Sequence, residues 1–456
     1  EGVRRNPSEA AKWYAAAAEQ GDAGARARLA VMYDTGEGVR QDRAEAAKWY
    51  RFAADAGDAG AQARLAALLD AGEGVARDPA EAARLYRLAA ERGDAGAQAR
   101  LGAMYDAGDG VAEDDAEAVR WYRLAAEQGD AGAQARLGAM YDAGTGVAED
   151  DAEAVKWYRL AADAGDTGAQ ARLATLYAAG QGVARNDAEA LKLYRLAAEQ
   201  GDAAAQVRLA GLYDEGAGVR QDRGEAAKWY RAAAEQGDAG AQARLAAMYD
   251  AGEGVRRNPS EAAKWYAAAA EQGDAGAQYR LGVMHARGEG VTRDAAEAVR
   301  LYRLAAAQGD RDAQSDLGGM YANGYGVERN DAEAAKWYRA AAEQGDASAQ
   351  NNLGVMYATG EGVAQDDAEA VKWYRRAAAQ GNAFAQNNIA VMYATGEGVP
   401  QDYGLAYMWF DIAVENGDDD ARASRDLAAE RMSPGAVAEA RRRAQRCLAS
   451  GYADCE

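Results

Sequence analysis

The chain has 456 residues, of which 52 are Lys or Arg and 73 Asp or Glu, for a formal charge of −21. That balance argues against phosphate-backbone binding, which needs clustered cations to release counterions. No apolar run approaches the roughly 20 residues needed to cross a bilayer. In chain order, one residue pair marks out the whole sequence. Gly-Val recurs at Val3, Val39, Val75, Val111, Val147, Val183, Val219, Val255, Val291, Val327, Val363 and Val399, always 36 residues apart. A fixed period of this size marks stacked supersecondary units. Residues 1–25 recur unchanged as residues 253–277, which points to recent duplication.

Residues 75–110, VARDPAEAARLYRLAAERGDAGAQARLGAMYDAGDG, show how one repeat is built. Asp78 and Pro79 supply an N-cap and a first-turn residue, and Ala82, Leu85, Tyr86, Ala89 and Ala90 follow at helical spacing. Gly93 stops that helix. Asp94 caps a second one, whose stripe is Ala97, Leu101, Met104 and Tyr105, before Gly108 and Gly110 turn the chain into the next repeat. Each repeat is therefore predicted to be a helix hairpin. The glycine before the second cap is present in every repeat from Gly21 to Gly417, followed by Asp except at Asn382. These glycines read as turns, because no repeat supplies the Lys-Ser or Lys-Thr pair of a phosphate loop.

The pattern Ala-x-x-x-Leu-x-x-x-Tyr, Gly-x-Gly-Val, Ala-x-x-Trp-Tyr-x-x-Ala-Ala-x-x-Gly, complete in residues 349–381, resembles the Sel-one-like repeat family. The resemblance implies a right-handed α/α superhelical solenoid, similar to tetratricopeptide arrays, that serves as a protein-binding scaffold and not as an enzyme. Twelve hairpins are expected over residues 1–432. A capping helix with a Cys-containing tail is expected over 433–456, where Arg425 and Ala429 break the motif and Ser433-Pro434 opens a further helix. The ending resembles exported bacterial members of the family. That resemblance implies a Cys447–Cys455 disulfide, whereas the residues alone also allow two reduced thiols. Because Glu1 falls inside a repeat, a signal peptide upstream is expected, and with it a periplasmic or extracellular location.

All nine tryptophans, Trp13, Trp49, Trp121, Trp157, Trp229, Trp265, Trp337, Trp373 and Trp409, share one register, filled elsewhere by Leu85, Leu193 and Leu301. A position that exchanges with leucine is a core position, and each such burial contributes roughly 1.5–3 kcal/mol. His285, the only histidine, stands in the register of Tyr105, Tyr141 and Tyr321 and reads as a core substitution. No second histidine and no oriented nucleophile accompany it, so no catalytic residue is assigned. Neither a metal site nor a cofactor is expected. The acidic stretch 106–115, DAGDGVAEDD, lacks the final ligand of a calcium loop and is explained by turn and cap chemistry.

Functional information is expected where repeats differ. The candidates for partner contact are Tyr279, Arg287, Tyr325, Asn351, Asn352, Asn387, Asn388, Tyr403 and Tyr407. The expected partner is a protein or peptide with a basic patch, held by a monomer with weak self-association. Two competing readings are a β-lactamase-like hydrolase, implied by cysteine-rich relatives whose per-repeat disulfides this chain lacks, and a self-assembling structural solenoid.

Overall fold

A computed structural model describes residues 6–455, so the first Gly-Val pair, at Val3, lies outside the described residues. These residues form 25 α-helices and no strand. The last three, Tyr403–Glu415, Ala421–Glu430 and Pro434–Ala449, build the C-terminal cap. The chain forms two compact units, Glu1–Trp229 and Tyr230–Glu456.

Local chemistry sets the hairpins. In the helix Pro79–Ala90, the Asp78 carboxylate accepts the Glu81 amide at 3.0 Å, and in Ala95–Ala107 Asp94 accepts the Ala97 amide at 2.7 Å. Gly108 closes the second helix in the left-handed region, at φ 66°. Gly110, at φ 73°, lies so close to the Pro79 carbonyl that any Cβ would collide with it. The Gly-x-Gly-Val turn thus also packs back on the start of the first helix of its own repeat.

The core is laid down repeat by repeat. Leu101, Leu137, Leu245, Leu317 and Leu353 are fully buried beside small Ala or Gly positions. Gly102 and Gly138 press directly on the rings of Tyr122 and Tyr158.

A spine of amides, with buried acceptors and exposed or half-buried donors, adds direction to this apolar packing. In the C-terminal half Gln308 donates to Gln278 at 2.9 Å, Gln344 to Gln314 at 2.8 Å, Gln380 to Gln350 at 2.8 Å and Asn416 to Gln386 at 2.8 Å. Each accepting glutamine donates in turn to a carbonyl of its own hairpin, as Gln314 does to Ala306 at 3.1 Å. Buried amides need such partners, and a satisfied network holds one register.

Two expectations need correction. Trp13, assigned to the core, is 70% exposed, because this register packs on the preceding hairpin and no described hairpin precedes it. Tyr407, assigned to a partner surface, is only 6% exposed and lies in the cap core with Met408, Trp409 and Phe410. Its helix is apolar on nearly every side because two further helices cover it. Cys447 and Cys455 form a disulfide, with Cα atoms 4.6 Å apart.

Candidate binding site

Many repeats carry an Arg in the AQARL segment and an Asp before the turn, and two such pairs close between neighbouring repeats. Arg100 donates to Asp70 at 2.5 Å, and Arg172 pairs with Asp142. The buried tyrosine of the following helix also points its hydroxyl at this Asp, as Tyr122 does toward Asp106 at 3.4 Å.

At residues 286 and 316 this arrangement is rewritten. The Asp is replaced by Ala286 and the Arg by Asp316, so the carboxylate has changed helices and lost its guanidinium. Asp316 now accepts the hydroxyl of Tyr279 at 3.3 Å, and the Tyr279 ring stands 5.6 Å from that of Tyr302. Desolvation by the surrounding side chains pushes the Asp316 carboxyl above its ordinary value, against the opposing pull of the Tyr279 hydroxyl. The Tyr279 phenol is pushed up to about 12, first by burial and then by the charge of Asp316.

Asp316 and Tyr302 line a cleft of about 530 Å³ together with Val283, Arg287 and Tyr325, and Tyr279 is tied to it through its bond to Asp316. Arg287 is exposed at one edge and reaches Glu289 at 3.9 Å. The Tyr325 ring lies 5.5 Å from the Arg293 guanidinium, a cation–π contact. A carboxylate with tyrosine neighbours and no direct ion pair suits an incoming ammonium or guanidinium.

Two of the sequence candidates, Arg287 and Tyr325, therefore line one cleft with Asp316, and a third, Tyr279, bonds to that carboxylate. The others do not join them. Asn388 donates to Asn351 at 3.0 Å and Asn351 to Asn352 at 3.3 Å, a ladder that links successive repeats. The Asn387 carboxamide oxygen is buried without a partner, and Tyr403, half-buried, accepts from Gln401 at 3.1 Å. Asp316 was missed, although a readable signal was present in the exchange of Arg for Asp inside AQARL. His285 is half-buried and lines a second cleft, and its Nδ1 is enclosed without a hydrogen-bond partner.

The Sel1 repeat profile matches residues 1–22, 23–58, 59–94, 95–130, 131–166, 167–202, 203–238, 239–274, 275–310, 311–346, 347–382 and 383–418. The chain belongs to the Sel1 repeat family. Among solved structures, this Sel1 repeat chain is similar to a protective antigen of uropathogenic Escherichia coli with the same fold. The two share 35% identity and a TM-score of 0.82, over 97% of this chain and 96% of the antigen. A Sel1 repeat protein from Oxalobacter formigenes matches at 35% identity and a TM-score of 0.52, over 68% of this chain and 89% of that protein. No curated protein matches significantly. Sel1 repeat solenoids generally serve as scaffolds for protein interaction, and none of the described helices is long and apolar enough to cross a membrane.

Proposed function

We propose that this Sel1 repeat protein is a non-catalytic scaffold, exported by a bacterium, that holds a basic segment of a protein partner, and that its docking point is the Asp316 cleft. The observation that carries this reading is the stranded carboxylate. Asp316 makes no ion pair among the described residues, where Arg100–Asp70 and Arg172–Asp142 pair at the equivalent positions, and the charge of Arg287 acts on it only from a distance. Tyr279 donates to it, and Tyr302 and Tyr325 line the same cleft with contact area of the kind interfaces favour. The charge of −21 would steer a cationic partner toward the chain. Export is supported by the Cys447–Cys455 disulfide, which suits an oxidising compartment, and by the likeness to a bacterial antigen.

The test uses the full chain and a short peptide carrying two arginines among glycine and serine, with calorimetric titration at several salt concentrations. Affinity should fall as salt rises, and Asp316→Asn should weaken binding roughly tenfold, the scale of one charge-assisted contact. Affinity indifferent to ionic strength and to the Asn substitution would remove this docking point.

A further inference from the structure

The second cleft, of about 700 Å³, falls in the size range of small-ligand sites and is lined by Lys264, Ala267, His285, Glu297, Arg300 and Leu301, among others. Its origin can be read from the neighbouring repeats. An arginine, a tyrosine 18 residues on and a tryptophan 16 residues further recur as a set, for example Arg123–Tyr141–Trp157 and Arg303–Tyr321–Trp337. In each set the guanidinium donates to the phenol, at 2.5 Å from Arg123 to Tyr141 and at 2.7 Å from Arg303 to Tyr321, and lies over its ring. At the cleft all three members are trimmed together, to Ala267, His285 and Leu301. No other set before the C-terminal cap departs at all three places, although Arg51–Leu69–Leu85 departs at two.

The groups that would hold the missing indole remain. In the set that ends at Trp121, Arg120 places its guanidinium 5.2 Å from the indole, while Glu117 accepts the indole N–H at 3.1 Å and the Arg120 guanidinium at 3.2 Å. The same offsets from Leu301 give Arg300 and Glu297, joined by their own bonds at 2.6 and 2.9 Å. A cation for the ring face and a carboxylate at the offset that takes the N–H of Trp121 are therefore in place beside a leucine, whereas the same offset leaves the N–H of Trp157, Trp337 and Trp373 unpaired. The adjoining space is enlarged by the loss of the arginine and the tyrosine.

We propose that this cleft is a socket for a tryptophan side chain presented by a partner polypeptide, which takes the place of the chain's own indole. Arg300 covers the face of the guest ring, Glu297 accepts its N–H, and His285, whose Nδ1 is enclosed without a partner, leaves Nε2 as the nitrogen through which its imidazole can bond. The socket is separate from the Asp316 cleft and does not depend on it.

The experiment titrates the full chain with N-acetyl-tryptophanamide and with N-acetyl-leucinamide by calorimetry. The tryptophan compound should bind at least about tenfold more tightly than the leucine compound, and Glu297→Gln or Arg300→Ala should weaken it roughly threefold to tenfold. Leu301→Trp should abolish binding while leaving the denaturation midpoint at or above that of the parent, since the chain then fills its own socket. Should that variant fail to fold, Ala267→Arg with His285→Tyr, which restores the set seen at Arg303 and Tyr321, should close the site equally. Equal binding of the two amides, or undiminished tryptophan binding after the site is refilled, overturns the proposal.

Discussion

Asp316 shows how much one residue can change a repeated surface. Its carboxyl holds a proton more tightly in the folded chain than in the unfolded one, because neighbouring side chains exclude water from it. The sign follows. A raised folded value contributes stability that is complete below the unfolded value of about 3.9 and is lost as pH rises through the folded value. At neutral pH the charge therefore weighs against the fold. Asp316→Asn should raise the urea midpoint at pH 7, and the gain over the parent should shrink to nothing by about pH 3, as followed by circular dichroism. A gain that is constant across pH would place the effect outside this ionisation. Tyr279, Arg287 and Tyr325 stood out in the sequence as departures from the repeat, but the carboxylate that draws them together lies 37 residues beyond Tyr279 and was not legible as their neighbour. His285 was legible as a filled tyrosine position; the trimmed Ala267 and Leu301 beside it acquire meaning only once the hairpins stack.

At the scale of the element, glycines of opposite roles sit a few residues apart. Gly96 lies within the helix Ala95–Ala107, where it contributes only backbone freedom, and an added Cβ there meets nothing closer than Asp94 at 3.5 Å. Gly96→Ala should stabilise the chain by about 0.5–1 kcal/mol. Gly110 is left-handed and in contact with the start of the first helix of its own hairpin, so Gly110→Ala should cost about 1–2 kcal/mol for the backbone alone and more for the collision. Urea midpoints of the two variants should move in opposite directions, and a shift of the same sign in both would refute this division. The caps explain why hairpin boundaries were readable from sequence. Asp78, Pro79, Asp94 and Gly108 act within one turn of where they stand. The glutamine spine was not readable, because Gln278 and Gln308 meet across 30 residues, and a polar residue in a helix gives no local sign that it will be enclosed.

For the whole molecule, stability should be distributed along the stack, with the last hairpin held by its cap and by the Cys447–Cys455 bond. The bond closes a short loop, whose chain-entropy value is about 2–3 kcal/mol. Reduction should therefore lower the resistance of the helix Pro434–Ala449 to hydrogen exchange by an amount of that order and leave the hairpins of the N-terminal half unchanged. Thiol labelling of denatured, unreduced chain should modify neither cysteine; modification of both would exclude the bond. The cap also accounts for Tyr407. A tyrosine that looks like surface from its place in the repeat is enclosed when its hairpin partner Ala421–Glu430 and the additional helix Pro434–Ala449 pack on its helix, with Arg425 paired to Asp411 at 3.0 Å.

The period, the helix hairpin, the caps and turns, the register of the tryptophans and the family were all legible in one dimension, because they rest on residues within one repeat or on identity at a fixed spacing. Tertiary structure alone decided which departures from the repeat act together. Asp316 meets Tyr279, and Ala267, His285 and Leu301 open one cleft, only because stacking sets residues about half a repeat to a full repeat apart side by side. Periodicity makes the spacing of such positions visible in one dimension, but contact between side chains depends on the direction in which each helix presents them.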